Sequence, residues 1–274
     1  MPFEPCEPFD FADADLVLRS SSDENLEFHV HRCILSVSSP FFRQMFTLPQ
    51  PLSADTDAPI LEVSESPTIL QALLSFVYPV PHPPIHSLDE LTPILTAAFK
   101  YEMTGVIEHL RKVLVVQHFL KENPTRVYAI ASRFDLEEEA RTASRYTLAV
   151  NILDCPLHDD LKYITAYAYH RLLDLHRRRA EAAQALLRLP EEVKCMRCNG
   201  TQYLAFSPPK WWLDFDVRAR EELRVRPTTE VVFSLAFLTR SAQAGCERCA
   251  GSILDAHHFL EKLKNSIDEL PSTI

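Results

Sequence analysis

Two C-x-x-C pairs constrain the fold of this chain more than any other feature. The sequence reads C-M-R-C-N-G at 195–200 and C-E-R-C-A-G at 246–251, so the motif C-x-R-C-x-G occurs twice. Three of the chain's four glycines, Gly200, Gly245 and Gly251, lie beside these pairs. A C-x-x-C turn presents two thiolates to one cation, and a glycine two residues further on can take the positive φ that such a turn needs. Two turns of this kind complete a tetrahedral site.

The pairs therefore predict a structural zinc site that closes on four thiolates. Its expected ligands are Cys195, Cys198, Cys246 and Cys249. Arg197 and Arg248, inside the pairs, and the adjacent Lys194 are placed to offset the negative charge of four thiolates on one zinc ion. The 47 residues between the pairs exceed the spacing of ordinary zinc ribbons, but loop entropy rises only slowly with length. Redox-active pairs and unliganded thiols are the alternatives, and the redox reading lacks the surrounding βαβ pattern.

The composition is that of a soluble globular protein, with 46% apolar and 24% charged residues in 274. No apolar run approaches the length of a membrane span, and the acidic N-terminus resembles neither a signal peptide nor a transit peptide. We therefore expect a protein of the cytoplasm or nucleus that associates with no membrane. In that compartment seven cysteines do not predict structural disulfides, and Cys33, in the apolar run H-R-C-I-L, is expected in the core.

Charge and glycine content argue against two classes of function. Residues 1–120 carry 16 acidic residues against 6 Lys and Arg, whereas residues 121–274 carry 22 of each. An acidic half repels phosphate backbones, so we expect no direct contact with nucleic acid. GxGxxG, GxxxxGK[ST] and GxSxG are missing from the sequence, and no nucleophile–base constellation is evident, so we predict no catalytic or cofactor-binding residues and no enzyme.

The apolar patterns predict a small α/β region followed by helices, which is the α+β class. Residues 14–19 and 26–30 predict a strand hairpin and residues 60–63 a third strand. Helices are expected over 88–100, 104–116, 136–149 and, broken once, 159–189, with others beginning at Ser66-Pro67, Asn123-Pro124, Ser207, Pro227 and Ser252. The letters S-I-L-D predict that Ser252 caps the last helix, with Asp255 in the reciprocal position.

The first third of the chain resembles the BTB/POZ fold both in its residues and in the order of its predicted strands and helices. The residues that carry the resemblance are D-A-D-L-V-L, then E-F-H-V-H-R-C-I-L-S-V-S-S-P-F-F-R-Q-M-F, and I-L-E-V-S-E-S-P-T-I-L-Q-A-L-L-S-F-V-Y. Residues 124–148 look like the helical extension that follows BTB domains in many fungal proteins, of basidiomycete-like type. The expected division is a BTB/POZ domain over 12–118, a helical BACK-like extension over 119–190, and a helical region with both C-x-x-C pairs over 191–274.

Polar residues of this first third are expected to have structural roles. Asp15 precedes the first strand, and His31 lies where a strand meets a helix. Both are expected to be half-buried, where they need hydrogen-bond partners. Ser38 or Ser39 is expected to cap the helix that begins at Pro40.

The resemblance implies a protein-interaction module. BTB domains homodimerise, and some link a substrate to a cullin-type ubiquitin-ligase scaffold. Two departures limit this expectation. Many dimerising members have a further helix and strand before the hairpin, whereas only about a dozen residues precede it here. Cullin-binding members often carry an apolar-x-Glu motif after the second helix, and the stretch M-F-T-L-P-Q-P-L in that region contains no acidic residue. The candidate partner surface is the 79–86 loop with Phe42, Met45, Phe46 and Leu48, although a core position is favoured for Phe41 and Phe42.

The sequence thus predicts a non-enzymatic intracellular interaction protein whose C-terminal region is stapled by zinc. Its partners are other proteins, a second copy of itself included. A substrate adaptor bridging to a cullin scaffold is the alternative, and a transcriptional regulator acting through protein partners comes third.

Overall fold

The computed structural model describes residues 9–20, 26–48, 58–198 and 207–274. The chain divides into two compact units, Met1–Phe119 and Leu120–Ile274, which we call unit 1 and unit 2. The first division falls at the end of the expected BTB/POZ domain. No second division separates 119–190 from 191–274, because helices from both ranges pack together in unit 2.

Unit 1 contains a three-stranded sheet in the order β2-β1-β3. Its strands are β1 (Leu16–Ser20), β2 (Glu27–Val30) and β3 (Ile60–Val63). β1 pairs antiparallel with β2 and parallel with β3. Leu16, Val17 and Leu18 are all buried, as expected of a central strand covered on both faces. The predicted hairpin and third strand are therefore confirmed.

The helices of unit 1 bury many leucine side chains. They are α1 (Arg32–Ser38), α2 (Pro40–Met45), α3 (Pro67–Ser75), α4 (Leu88–Lys100) and α5 (Thr104–Leu114), and α6 (Gln117–Glu122) follows them. The Ser39 hydroxyl accepts a hydrogen bond from the Phe42 amide at 3.0 Å, which confirms the predicted cap of α2. The expectation for Cys33 was wrong. It is exposed because α1 buries Leu35, two residues further on and so on the opposite face.

Unit 2 is helical throughout its described part. It contains α7 (Pro124–Arg133), α8 (Glu137–Thr147), α9 (Ala166–Leu186), α10 (Lys210–Val225), α11 (Thr229–Val232), α12 (Leu235–Ala244), α13 (Cys249–Asp255) and α14 (His257–Asp268). Short 3-10 turns cover Ile152–Asp154 and Asp159–Tyr163, so the helix predicted over 159–189 is broken once, as expected. α9 packs against α10 and α14, and α10 packs against α12.

Arg179 fixes α9 to the rest of unit 2. Its guanidinium is almost fully buried and donates to the carbonyl oxygens of Pro227 and Ile267, each at 2.9 Å. Ile267 lies in the last turn of α14, where carbonyl groups lack partners within the helix. A buried arginine therefore completes the hydrogen bonding of a helix end.

The capping box predicted at Ser252 is wrong. α13 already begins at Cys249, so Ser252 lies inside the helix and Asp255 is its last residue. The turn between the second pair of cysteines starts the helix four residues earlier than a cap at Ser252 would, at Cys249 and not at Ile253. Among the described residues, no helix has both the length and the apolar character that a membrane crossing requires.

Candidate metal centre

The structure brings the four cysteines of the two pairs together in unit 2. The sulfur atoms of Cys195, Cys198, Cys246 and Cys249 all lie within 4.8 Å of one another. The Sγ–Sγ distances are 3.5 Å for Cys195–Cys246, 3.4 Å for Cys198–Cys246, 3.4 Å for Cys198–Cys249 and 4.0 Å for Cys195–Cys249. Tetrahedral zinc with bonds of about 2.3 Å separates its sulfur ligands by about 3.8 Å. The spacing fits a single metal ion, and we call these residues the four-cysteine site.

Each pair reaches the site from a different part of the fold. Cys195 and Cys198 lie in the turn-rich segment after α9, whereas Cys246 and Cys249 form the junction between α12 and α13. In that junction the Cys249 amide donates to the Cys246 carbonyl at 2.8 Å, and the Cys246 amide donates to the Cys249 sulfur at 3.2 Å. Cys195 and Cys249 are buried, and the other two are half-buried. The site therefore joins segments that are far apart in the sequence.

Gly245 is required by close approach to a thiol. A Cβ atom at this position would lie 2.4 Å from the Cys249 sulfur and 2.7 Å from the Cys249 Cβ, closer than such atoms pack. Gly251 differs from the expectation, because it lies within α13, has no positive φ and would have open space around a Cβ. Gly200 falls outside the described residues. Of the three glycines, Gly245 thus has a clear role, and that role is steric.

Arg197, which was expected to offset the negative charge of the thiolates, has an acidic partner instead. Arg197 forms an ion pair with Glu247, and both side chains are largely exposed, so this carboxylate already neutralises the guanidinium. Burial raises the pKa of Cys198 and of Cys249, and hydrogen bonds from the backbone amides of Lys210 and Trp211 partly offset this rise in pKa. These amides belong to the first turn of α10, whose start at Ser207-Pro208-Pro209 was the only sequence signal for it.

The thiols share their negative charge unequally. Burial raises the pKa of Cys249 to about 12 and also raises the pKa of Cys198. Burial opposes ionisation of Cys246 too, but hydrogen bonds from the Arg248 amide and the neighbouring thiols lower its pKa to about 6. Without a cation, one thiolate is thus favoured at Cys246 and further ionisation is resisted. A divalent ion that binds four thiolates removes this repulsion.

A second connection between the two pairs uses hydrogen bonds alone. The Trp211 indole Nε1–H donates to the Ser252 hydroxyl at 3.0 Å, and that hydroxyl donates to the Lys194 carbonyl at 2.9 Å. Lys194 directly precedes Cys195, and Ser252 lies one turn after Cys249. Trp211 belongs to a core of buried aromatic and aliphatic side chains, among them Trp212, Phe215, Leu223, Ile253 and Leu260.

Asp15 and His31 of unit 1 both have structural partners. The Asp15 carboxylate accepts a hydrogen bond from the Arg32 amide at 2.7 Å, at the first residue of α1, although Asp15 is exposed and not half-buried. The His31 amide donates to the Tyr78 hydroxyl at 2.8 Å, and its Nε2 lies 3.3 Å from the Asp13 carboxylate. Asp15 therefore serves the first turn of α1, and its expected burial was wrong.

The candidate partner surface is smaller than predicted. Phe42 is 1% exposed and stacks on Tyr101 at 5.0 Å, so this residue belongs to the core and not to the surface, as the favoured alternative held. Met45 and Phe46 are half-buried, and Leu48 is 62% exposed. Phe41, for which a core position was favoured, is 37% exposed and adds to the accessible part of this surface.

The family model of the BTB/POZ domain matches residues 6–118. The TD and POZ domain-containing protein 5 of Mus musculus is 28% identical over 127 residues, which cover 46% of this chain and 36% of the mouse protein. The TD and POZ domain-containing protein 1-like of Mus musculus is 30% identical over 116 residues, covering 41% and 30%. The chain thus spans about a third of the length of these relatives. The expected BTB/POZ domain is confirmed.

A solved structure also matches part of the chain. The BTB domain of zebrafish PATZ1 is 25% identical, with a TM-score of 0.29, and the match covers 36% of this chain and 74% of that domain.

Proposed function

We propose that this protein is a non-enzymatic protein-interaction module whose C-terminal unit is held by a structural zinc ion. The match of residues 6–118 to the BTB/POZ domain supports the interaction role. We assign the helical extension to the fungal type and the protein to the cytoplasm or nucleus. The partners that we propose are proteins, a second copy of this chain included.

The donor set supports zinc at the four-cysteine site. Four thiolates with tetrahedral spacing favour zinc over hard cations such as magnesium or calcium, which prefer oxygen ligands. Zinc with four cysteine ligands has no open coordination position, so the ion would hold structure and would not activate water. Cys195 and Cys198 would bind it from one segment, and Cys246 and Cys249 from the other.

Metal analysis of the purified full chain tests the zinc proposal. We expect about one zinc per chain, lost in the Cys195→Ser/Cys246→Ser double variant. A Cys33→Ser/Cys155→Ser variant is the matched control, because it removes two thiols outside the site and should keep the zinc. A folded wild-type chain free of metal after growth with zinc would contradict the proposal.

Light scattering on the full chain tests self-association through unit 1. We expect a dimer at micromolar concentrations that Leu48→Asp converts to a monomer, since a buried carboxylate opposes association. Val37→Asp is the control, because Val37 is 81% exposed on α1 and does not belong to the candidate partner surface that contains Leu48. A wild-type chain that is a monomer at every concentration would contradict the proposed self-association. A cullin scaffold that co-purifies from native cells would favour the adaptor alternative.

A further inference from the structure

A cleft of about 710 Å³ lies in unit 2 between one face of α9 and residues 270–274. The residues of α9 that line it recur at every third and fourth position from Tyr167 to Ala182, as on a single helix face. We call this cavity the α9 cleft. Pockets for small molecules typically have volumes of about 300–1,000 Å³, so the α9 cleft is large enough for such a ligand.

The wall opposite α9 is held in place by hydrogen bonds at both of its ends. The Arg179 guanidinium donates to the carbonyl oxygen of Leu270 and, at 3.0 Å, to that of Pro271. The Ile274 amide donates to the Ser144 hydroxyl of α8 at 3.2 Å. The cleft is therefore formed by the fold itself, as pockets for small molecules usually are.

The charged side chains of the α9 cleft are mostly positive. They are three arginines and one carboxylate, namely Arg171, Arg178, Arg179 and Asp174. Glu137, from α8, pairs with Arg171 at 2.7 Å. Asp174 pairs with Arg178 and also with the neighbouring Arg177, so one carboxylate serves two guanidinium groups. Carboxylates therefore neutralise these arginines only in part.

Arg179 adds a buried charge that is held by backbone carbonyls. It is almost fully buried, and four of its N–H groups donate to carbonyl oxygens. Among the described residues, no carboxylate forms an ion pair with it. Burial lowers the pKa of Arg179, Asp268 opposes this change and Arg145 adds to it, but an arginine stays charged near neutral pH. A buried charge of this kind favours a nearby anion.

Apolar side chains also line the α9 cleft. Leu175 lies on α9, and Leu270, Pro271 and Ile274 lie on the opposite wall. A ligand that matches both kinds of lining has an anionic group and an apolar body. Arginine binds phosphate and carboxylate groups through parallel hydrogen bonds, and a guanidinium has five N–H donors, so Arg178 can bind Asp174 and a ligand at once.

We propose that the α9 cleft binds a small organic anion, whose phosphate or carboxylate group contacts Arg178 and whose apolar body lies against Leu175 and Leu270. This ligand site is additional to the proposed protein interactions and does not depend on the proposed zinc ion. The bound anion supplies the negative charge that the arginines of the cleft lack among the described residues.

NMR titrations that observe the ligand test the site on the full wild-type chain at constant ionic strength. The probes are phenyl phosphate and phenylacetate, which share a ring and differ in the anionic group. Inorganic phosphate lacks the apolar body, and phenol lacks the charge. We expect a dissociation constant of about 1 mM for the tighter organic anion, and binding at least about tenfold weaker for inorganic phosphate and phenol. Phenol or inorganic phosphate that binds equally well, or a chain that binds neither organic anion, would overturn the proposal.

Two neighbouring arginines provide a matched pair of variants. The side chains of Arg177 and Arg178 are 67% and 74% exposed and both bind Asp174, but of the two Arg178 alone lines the cleft. Arg178→Gln should weaken binding of the tighter organic anion about fivefold, whereas Arg177→Gln, with the same change in net charge, should stay within about twofold of wild type. Equal affinities for the two variants would overturn the proposed contact. The ligand series on the wild-type chain decides the proposal even if Arg178→Gln does not fold.

Discussion

Units 1 and 2 connect distant segments by different chemistry. In unit 1, Lys100 bonds Glu65 at 2.7 Å, the Tyr101 hydroxyl donates to the same carboxylate, and the Ser39 hydroxyl donates to the Tyr101 carbonyl. These partners satisfy one another without any added group. In unit 2 the corresponding connection consists of four thiols that repel one another once ionised. The difference supports the proposal that a metal ion is part of the structure of unit 2.

Loss of the metal should have the largest effect, and only in unit 2. Chelation, or the Cys195→Ser/Cys246→Ser variant, is expected to lower the free energy of unfolding of unit 2 by at least about 4 kcal/mol, because structural zinc contributes its binding energy to folding. Hydrogen exchange measured by mass spectrometry should show lost protection in α10 and α13 and unchanged protection in α4. Equal loss of protection in both units would show that the metal does not act on unit 2 alone.

Acid should destabilise unit 2 through His176. Burial lowers the pKa of His176 to about 4, and its Nε2 lies 3.0 Å from the Thr147 hydroxyl, which itself donates to the Ser144 carbonyl. Because the folded pKa lies below the unfolded value of 6.5, the unfolded chain binds more protons, and stability falls as the pH drops from about 6.5 to 4. The total loss is about 3 kcal/mol.

Denaturant titrations across this pH range check the histidine prediction. The unfolding of unit 2 is monitored in these titrations. In a His176→Gln variant the decrease in the free energy of unfolding between pH 6.5 and pH 4 should be smaller by the same amount. A variant with the wild-type slope would show that other groups cause the acid sensitivity.

Gly245→Ala is expected to damage the four-cysteine site. Its Cβ overlaps the Cys249 sulfur, so the junction between α12 and α13 must shift, at a cost of about 2 kcal/mol. Gly251→Ala is the matched control, because it adds a Cβ in open space within α13 and should stabilise the helix by about 0.5 kcal/mol. Thermal unfolding and the number of zinc ions bound per chain are measured for both variants. A Gly245→Ala variant with wild-type stability and zinc content would contradict the steric role of Gly245.

Tyr101→Phe should have the smallest effect, and in unit 1 alone. The change removes the hydroxyl that donates to Glu65, which still keeps Lys100, so we expect a loss of about 1 kcal/mol. Urea unfolding should show the same loss with and without chelator. A loss that depends on metal would mean that the two units are not independent in this respect.

Local patterns predicted those parts of the fold whose causes are local. The hairpin, α4 and the start of α2 follow from alternation, helical periodicity and a serine before a proline. The approach of the four cysteines was predictable as well, because two C-x-x-C turns in one chain favour a common cation. Apart from the approach of the two pairs, which are 47 residues apart, each of these signals lies within a few residues of the structure that it predicts.

Long-range packing determined what the sequence did not predict. Ser252 has the letters of a helix cap, but the junction at Cys246–Cys249 starts the helix earlier and a distant tryptophan takes the hydroxyl. The core position favoured for Phe42 is confirmed, but its stacking partner Tyr101, 59 residues away in the sequence, was not predictable from the local pattern.

X-ray absorption at the zinc edge of the purified full chain is the most direct test of a zinc ion held by four thiolates. The proposed site predicts one shell of four sulfur atoms at about 2.3 Å, with no nitrogen or oxygen ligand. A shell containing nitrogen or oxygen, or a chain without zinc, would rule out a zinc site of four cysteines in unit 2.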